Sequence, residues 1–204
     1  MREIVSDVFI WSRLSEPHGY DFNGYLVRDP SGNVCIDPVE PDAGDMAALT
    51  RLGARSIVLT NRNHVRAANQ IRPATGARCT IHAEDADHAR RQGAQIDDLL
   101  HAGARFGPLV AVAVPGKSPG EIALHWPARG ILFVGDAVIG NPAGHCTLLR
   151  EKVMDDPERL RTSVETLLAL DFDTLLFGDG VPIIGGAHER LAELVATFPA
   201  PPAP

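Results

Sequence analysis

No apolar run in the chain approaches the roughly 18 residues that a membrane-spanning helix needs. The opening Met1-Arg2-Glu3-Ile4-Val5-Ser6-Asp7 carries an acid early with no long apolar stretch behind it, so it does not read as a signal peptide. Cysteine is scarce: Cys35, Cys79 and Cys146 are widely separated, odd in number and form no CxxC pair, which argues against a zinc ribbon or a disulfide framework. A reducing, cytoplasmic setting fits that usage best. There is no basic stripe either, since 19 Lys and Arg are outnumbered by 26 Asp and Glu for a net charge of -7. That balance speaks against nucleic acid as the partner, and nothing points to a membrane. No Gly-x-Ser-x-Gly elbow is present, and lysine occurs only at Lys117 and Lys152.

What is there suits a globular domain. The 204 residues are 45% hydrophobic and 22% charged, with a mean hydropathy of -0.03 and a sequence pI near 5.6, which leaves ample material for a core. We expect one domain over residues 1–198 and a disordered Pro-rich tail over 199–204. Val8–Trp11 reads as a strand, and Gly24–Arg28 with Asn33–Asp37 as a hairpin across Asp29-Pro30-Ser31-Gly32. Asp42 caps a helix that runs to Leu52 and stops at Gly53; a strand over Ser56–Thr60 precedes a helix from about Val65. Cys79–His82 is a strand followed by a polar helix over Glu84–Arg91. Strands follow at Leu109–Val114, Glu121–Trp126, Ile131–Val134 and Thr174–Phe177, with helices at Pro157–Leu170 and Ala187–Phe198. Strands in both halves, each set followed by helices, predict two sheets with helices outside.

Four segments place polar or glycine-rich residues directly after apolar strands, where active-site groups commonly sit. They are Thr60-Asn61-Arg62-Asn63-His64-Val65-Arg66, Pro115-Gly116-Lys117-Ser118-Pro119-Gly120, Phe133-Val134-Gly135-Asp136 and Phe177-Gly178-Asp179-Gly180. In this order and spacing, with Cys35-Ile36-Asp37-Pro38 before them, they resemble the metallo-β-lactamase-fold superfamily over about Tyr20 to Ile184. That resemblance implies an α/β fold, the four-layer αββα sandwich, and a metal-dependent hydrolytic site. It also exposes departures. Set against the family's Thr-His-x-His-x-Asp-His, Asn61 and Asn63 stand at two histidine positions, Val65 at the aspartate and Arg66 at the next histidine. Lys117 stands at the histidine of the Pro-Gly-His turn and Asp179 at the late histidine, leaving Asp136 as the retained bridging aspartate.

Asparagine is a poor zinc ligand, valine is none, and arginine and lysine keep their protons beside carboxylates. The expectation is therefore a metal-free site with no cofactor, in which Arg66 and Lys117 pair with Asp136 and Asp179 so that no buried carboxylate is left uncompensated. Asn61, Asn63, His64, Arg66, Lys117, Asp136, His145 and Asp179 form the candidate binding set, and Asp136, His64 and Asp179 are the catalytic candidates. His64 is read first as a helix-start histidine bonded to a neighbour, with a metal or general-base role as the alternative. Asn61 and Asn63 either cap the following helix or meet substrate. Arg62 is read as solvated or partner-facing. His145, in the loop after Asp136, is a pocket-lining candidate. His82 and His88 flank Glu84 and Asp85, but their spacing does not place both rings on one helical face, so an exposed polar helix is expected. His18, His101, His125 and His188 are taken as surface residues.

The functional expectation is a degenerate pseudoenzyme that binds a small molecule or partner rather than performing zinc hydrolysis. Two alternatives stand beside it. One is a divergent hydrolase of esters, thioesters or lactones that uses one recruited zinc or other metal, or acid-base chemistry. The other is a structural or interaction protein, for which a homo-oligomer joined through the outer helices would fit.

Overall fold

Side chains alternate across each strand, so a strand covered on both faces must be apolar throughout. Val34, Cys35 and Ile36 illustrate this, each at most 2% exposed. Val34 and Ile36 point toward one core and Cys35 toward another. The computed structural model describes residues 1–199, so most of the expected Pro-rich tail lies outside the described residues.

The first sheet contains β1 (Arg2–Val5), β2 (Val8–Ser15), β3 (Tyr20–Val27), β4 (Val34–Ile36), β5 (Ser56–Leu59), β6 (Arg78–His82) and β7 (Asp98–Leu100), in that order. It runs antiparallel from β1 to β4 and parallel from β4 to β7. The second sheet contains β8 (Arg105–Phe106), β9 (Leu109–Ala113), β10 (Ile122–Trp126), β11 (Ile131–Phe133), β12 (Thr174–Leu176) and β13 (Ile183–Ile184), ordered β13-β12-β11-β10-β9-β8. Only β11 and β12 pair in parallel there.

Three apolar layers follow from the alternation. Ile10, Tyr25, Ile36 and Val58 of the first sheet meet Ile122, Leu124, Phe133 and Leu176 of the second. The outer face of the first sheet packs Leu26, Ile57 and Ile81 against α1 (Ala43–Leu52), α2 (Ala68–Thr75) and α3 (Ala83–Arg91). The outer face of the second packs Ala123, Leu132 and Leu175 against α4 (Pro157–Leu167) and α5 (Ala187–Val195). The result is the expected αββα sandwich. Among the described residues no helix is long and apolar enough to cross a membrane.

Helix boundaries follow local chemistry. Asp42 and Asp45 close a reciprocal capping box at the start of α1, and Asp156 caps α4 ahead of Pro157. The helix expected from Val65 begins only at Ala68. The segment before it is held as turns, because the Asn61 side chain accepts the Asn63 backbone N–H at 2.8 Å and so competes with helical bonding. Helices α4 and α5 each end three residues before the sequence-based limit, at Leu167 and Val195.

Candidate functional site

Loops after parallel strands converge at the carboxyl ends of those strands, the usual place for a site in α/β sheets. Asp37 follows β4, Thr60 to Arg66 follow β5, Asp136 follows β11 and Asp179 follows β12. The turn between β9 and β10 adds Lys117 and Glu121 from the second sheet.

His64 sits at the centre and is fully buried. Its Nδ1 lies 2.9 Å from Asp37 Oδ2, and its Nε2 lies 2.9 Å from Asp136 Oδ1. Burial and the nearby Arg66 push the imidazole pKa down, but Asp136 and Asp37 outweigh them and lift it to about 9. Thr60 helps to hold Asp37: its N–H donates to Oδ1 at 2.8 Å and its hydroxyl to Oδ2 at 2.6 Å. Gly178 makes room for the ring, since a Cβ there would stand 2.7 Å from His64 Cε1 and 3.0 Å from the Gly135 carbonyl oxygen.

Asp136 is engaged on both oxygens. Lys117 Nζ lies 3.1 Å from Oδ2 opposite the histidine, and the same ammonium donates to Asn63 Oδ1 at 2.7 Å. Burial would raise the Asp136 carboxyl, yet His64 and Lys117 together hold it well below the usual carboxylate range. Arg66 Nη2 donates to Asp179 Oδ1 at 3.1 Å, with the guanidinium 4.4 Å above the Phe22 ring. Burial and then Asp136 push the Asp179 carboxyl up to about 6.

Glu121, 1% exposed, lies beneath. Its Oε1 accepts the Asp136 backbone N–H at 2.9 Å and the Asn61 side-chain amide at 3.2 Å. Burial and Asp136 raise its carboxyl to about 8. Asp85 is also fully buried. It receives the Arg62 N–H at 2.9 Å, the Ser118 hydroxyl at 2.5 Å and the Gly120 N–H at 3.0 Å. That one carboxylate therefore ties α3 to the turns carrying Asn61 and Lys117, and the exposed polar helix expected here has a buried anchor. Asn23 on β3 donates to the Phe177 and Gly180 carbonyl oxygens at 3.1 and 2.8 Å, which fixes the loop bearing Asp179.

Of the candidate set, Asn61, Asn63, His64, Arg66, Lys117, Asp136 and Asp179 come together. His145 does not: it is exposed and its N–H donates to the Pro142 carbonyl at 3.1 Å within its own loop. Arg62 pairs with Asp155 at 2.5 Å. His125, expected at the surface, is 7% exposed and its Nε2 meets the Asp171 carbonyl at 2.9 Å. Glu121, Asp85 and Asn23 are not among the residues expected in the site. A charged or amide residue beside an apolar strand was the only signal for them, and many solvated residues share it.

By type, the donors at the centre suit a divalent ion, although side-chain cations now pair with them. One ligand atom from each of His64, Asp136 and Asp179 lies within 4.8 Å of the others, and all three residues are buried. An imidazole and two carboxylates are ordinary donors for a catalytic ion with open positions.

The metallo-beta-lactamase superfamily model matches residues 2–198, and the chain belongs to that superfamily. Among curated relatives, a hydroxyacylglutathione hydrolase of Fuscovulum blasticum is 33% identical over 174 residues, covering 80% of this chain and 64% of the relative. A hydroxyacylglutathione hydrolase of Cereibacter sphaeroides is 34% identical over 168 residues, covering 76% of this chain and 61% of the relative. The chain thus spans less than two thirds of the length of either. A solved structure of a protein in a di-iron-bound form is 26% identical, with a TM-score of 0.69 over 89% of this chain and 98% of that one.

These findings correct two expectations. The binding-only pseudoenzyme is overturned by relatives named as hydrolases. The absence of any metal or cofactor is overturned by the same relatives, the di-iron neighbour and the His64, Asp136 and Asp179 cluster. The physical reason is local. Asn61, Asn63 and Val65 leave the inherited ligand positions without an imidazole or carboxylate, but the turn at Asn61 to Asn63 brings the imidazole of His64, which lies between two such positions, onto Asp136.

Proposed function

We propose that this chain is a hydrolase of thioesters or esters that works with one divalent ion held by His64, Asp136 and Asp179. The observation that carries the reading is the meeting of three buried donors from three separate segments within 4.8 Å. The reduced donor set suits one ion rather than two, because Asn61 and Asn63 are committed to Glu121 and Lys117. An ion bound there would polarise an acyl carbonyl and make a water nucleophilic near neutral pH.

The chain's own residues supply the setting. Asp37 faces His64 Nδ1 and orients the ring, as carboxylates do for metal-binding imidazoles, and an ion at Nε2 would take the place of the proton that His64 shares with Asp136 in the metal-free site. Glu121 holds the Asp136 backbone in place. A cavity of about 510 Å³ lined by His18, Tyr20, Ile139, Asn141, Leu148 and Arg150 lies alongside. Gly140, between Ile139 and Asn141 of that lining, donates its N–H to the Asp179 carbonyl oxygen at 3.0 Å, which joins this wall to the site. The mixture of aromatic, aliphatic and cationic lining suits an acyl compound bearing a carboxylate, as a glutathione thioester does.

Purified protein assayed on a hydroxyacylglutathione and on simple aryl esters tests the reading. Hydrolysis that is lost on chelation and regained with one equivalent of zinc or iron per chain is expected. Rates indifferent to the ion, or no turnover of either substrate class with the ion present, contradict it.

A further inference from the structure

Two side-chain cations rest on the carboxylates that the ion needs. Lys117, 5% exposed, is 3.1 Å from Asp136 Oδ2, and Arg66 is 3.1 Å from Asp179 Oδ1. Since His64 takes Asp136 Oδ1, no oxygen of Asp136 is left without a partner. A divalent ion entering beside the ammonium meets like charge in a buried setting, where screening is weak.

The two cations differ in freedom. Arg66 is pinned by the Phe22 ring. Lys117 ends in a compact ammonium on a flexible stem, and it already has a second acceptor in Asn63 Oδ1 at 2.7 Å. It can give up Asp136 and keep a partner. The chain contains only one other lysine, Lys152.

Resting on the single-ion reading above, we propose that Lys117 is a built-in counter-ion that competes with the metal for Asp136. Loading one ion breaks the Lys117–Asp136 pair and leaves the ammonium on Asn63, so affinity is held low and occupancy follows the supply of free ion. Arg66 remains on Asp179 as a fixed charge and adds a constant repulsion.

The test is zinc affinity of the full chain, measured by competition with a chromogenic chelator. Lys117→Gln removes the charge and is expected to raise the association constant about 10-fold to 100-fold, the scale on which groups around a metal's ligands act. Lys117→Arg keeps the charge and should stay close to wild type. Unchanged or weaker binding by folded Lys117→Gln overturns the proposal. Should that variant fail to fold, the wild-type protein decides: with nitrogen-15 lysine, a zinc titration must move the Lys117 side-chain signal and leave that of Lys152 in place. A Lys117 signal unmoved at saturating zinc overturns it. Zinc-loaded protein that hydrolyses nothing contradicts the hydrolase reading but leaves the affinity comparison intact, so the two failures are distinguishable.

Discussion

Arg78 on β6 and Asp98 on β7 meet at 2.7 Å across neighbouring strands, with side chains 63% and 44% exposed. Lys117 and Asp136 meet at 3.1 Å at the carboxyl end of the sheets, with side chains 6% and 7% exposed. The pairs are chemically alike and differ in surroundings. At the edge, water already solvates both groups and salt screens them, so the contact adds little. In the site both groups have left water, so the pair is little screened and removing either partner leaves a buried charge with less to compensate it. The teaching of the contrast is that charge conserves the fold only where water is excluded, and that the same exclusion gives a carboxylate its power over a metal or a substrate.

The largest effect should come from the centre. His64→Ala leaves Asp37 and Asp136 buried with their shared cation removed, and breaking a buried pair costs about 3–5 kcal/mol. Urea denaturation should show that loss, together with loss of bound metal. A variant as stable as wild type would mean that the two aspartates do not depend on the histidine between them.

A smaller effect is expected at Glu121. Glu121→Ala strands the Asp136 N–H and the Asn61 amide, a cost of about 1–3 kcal/mol for a buried donor left unpaired. Glu121→Gln keeps a carbonyl oxygen for both bonds and should lie much closer to wild type in the same denaturation series. Equal losses for the two variants would mean that the carboxyl group itself is needed, rather than side-chain volume or a single acceptor oxygen. At the edge, Arg78→Ala should leave the thermal midpoint unmoved within measurement error. A clear drop there would break the contrast.

Much of the architecture was legible beforehand. Short apolar runs bounded by turn residues located β2 to β6 and β9 to β12, and Asp42 and Pro157 marked two helix starts correctly. The short strands β7, β8 and β13 were not legible, because two or three residues carry no period. In the site, Asp136, Asp179, Arg66 and Lys117 lay in polar or glycine-rich segments that follow apolar strands, and the resemblance to the superfamily singled them out there. Asp85 and Glu121 did not, because nothing local separates a buried carboxylate from a solvated one. His125 was misplaced for the same reason: its backbone partner, Asp171, lies 46 positions away.

The order of apolar and polar residues was enough to determine two sheets, their outer helices and which loops carry charge, since periodicity and capping are properties of neighbours along the chain. Which nitrogen of His64 faces which aspartate, and that Lys117 and a metal contend for one oxygen, was decided only when loops distant in sequence closed around a space without water. Electrostatic strength depends on distance and dielectric, and both are set by the packed chain.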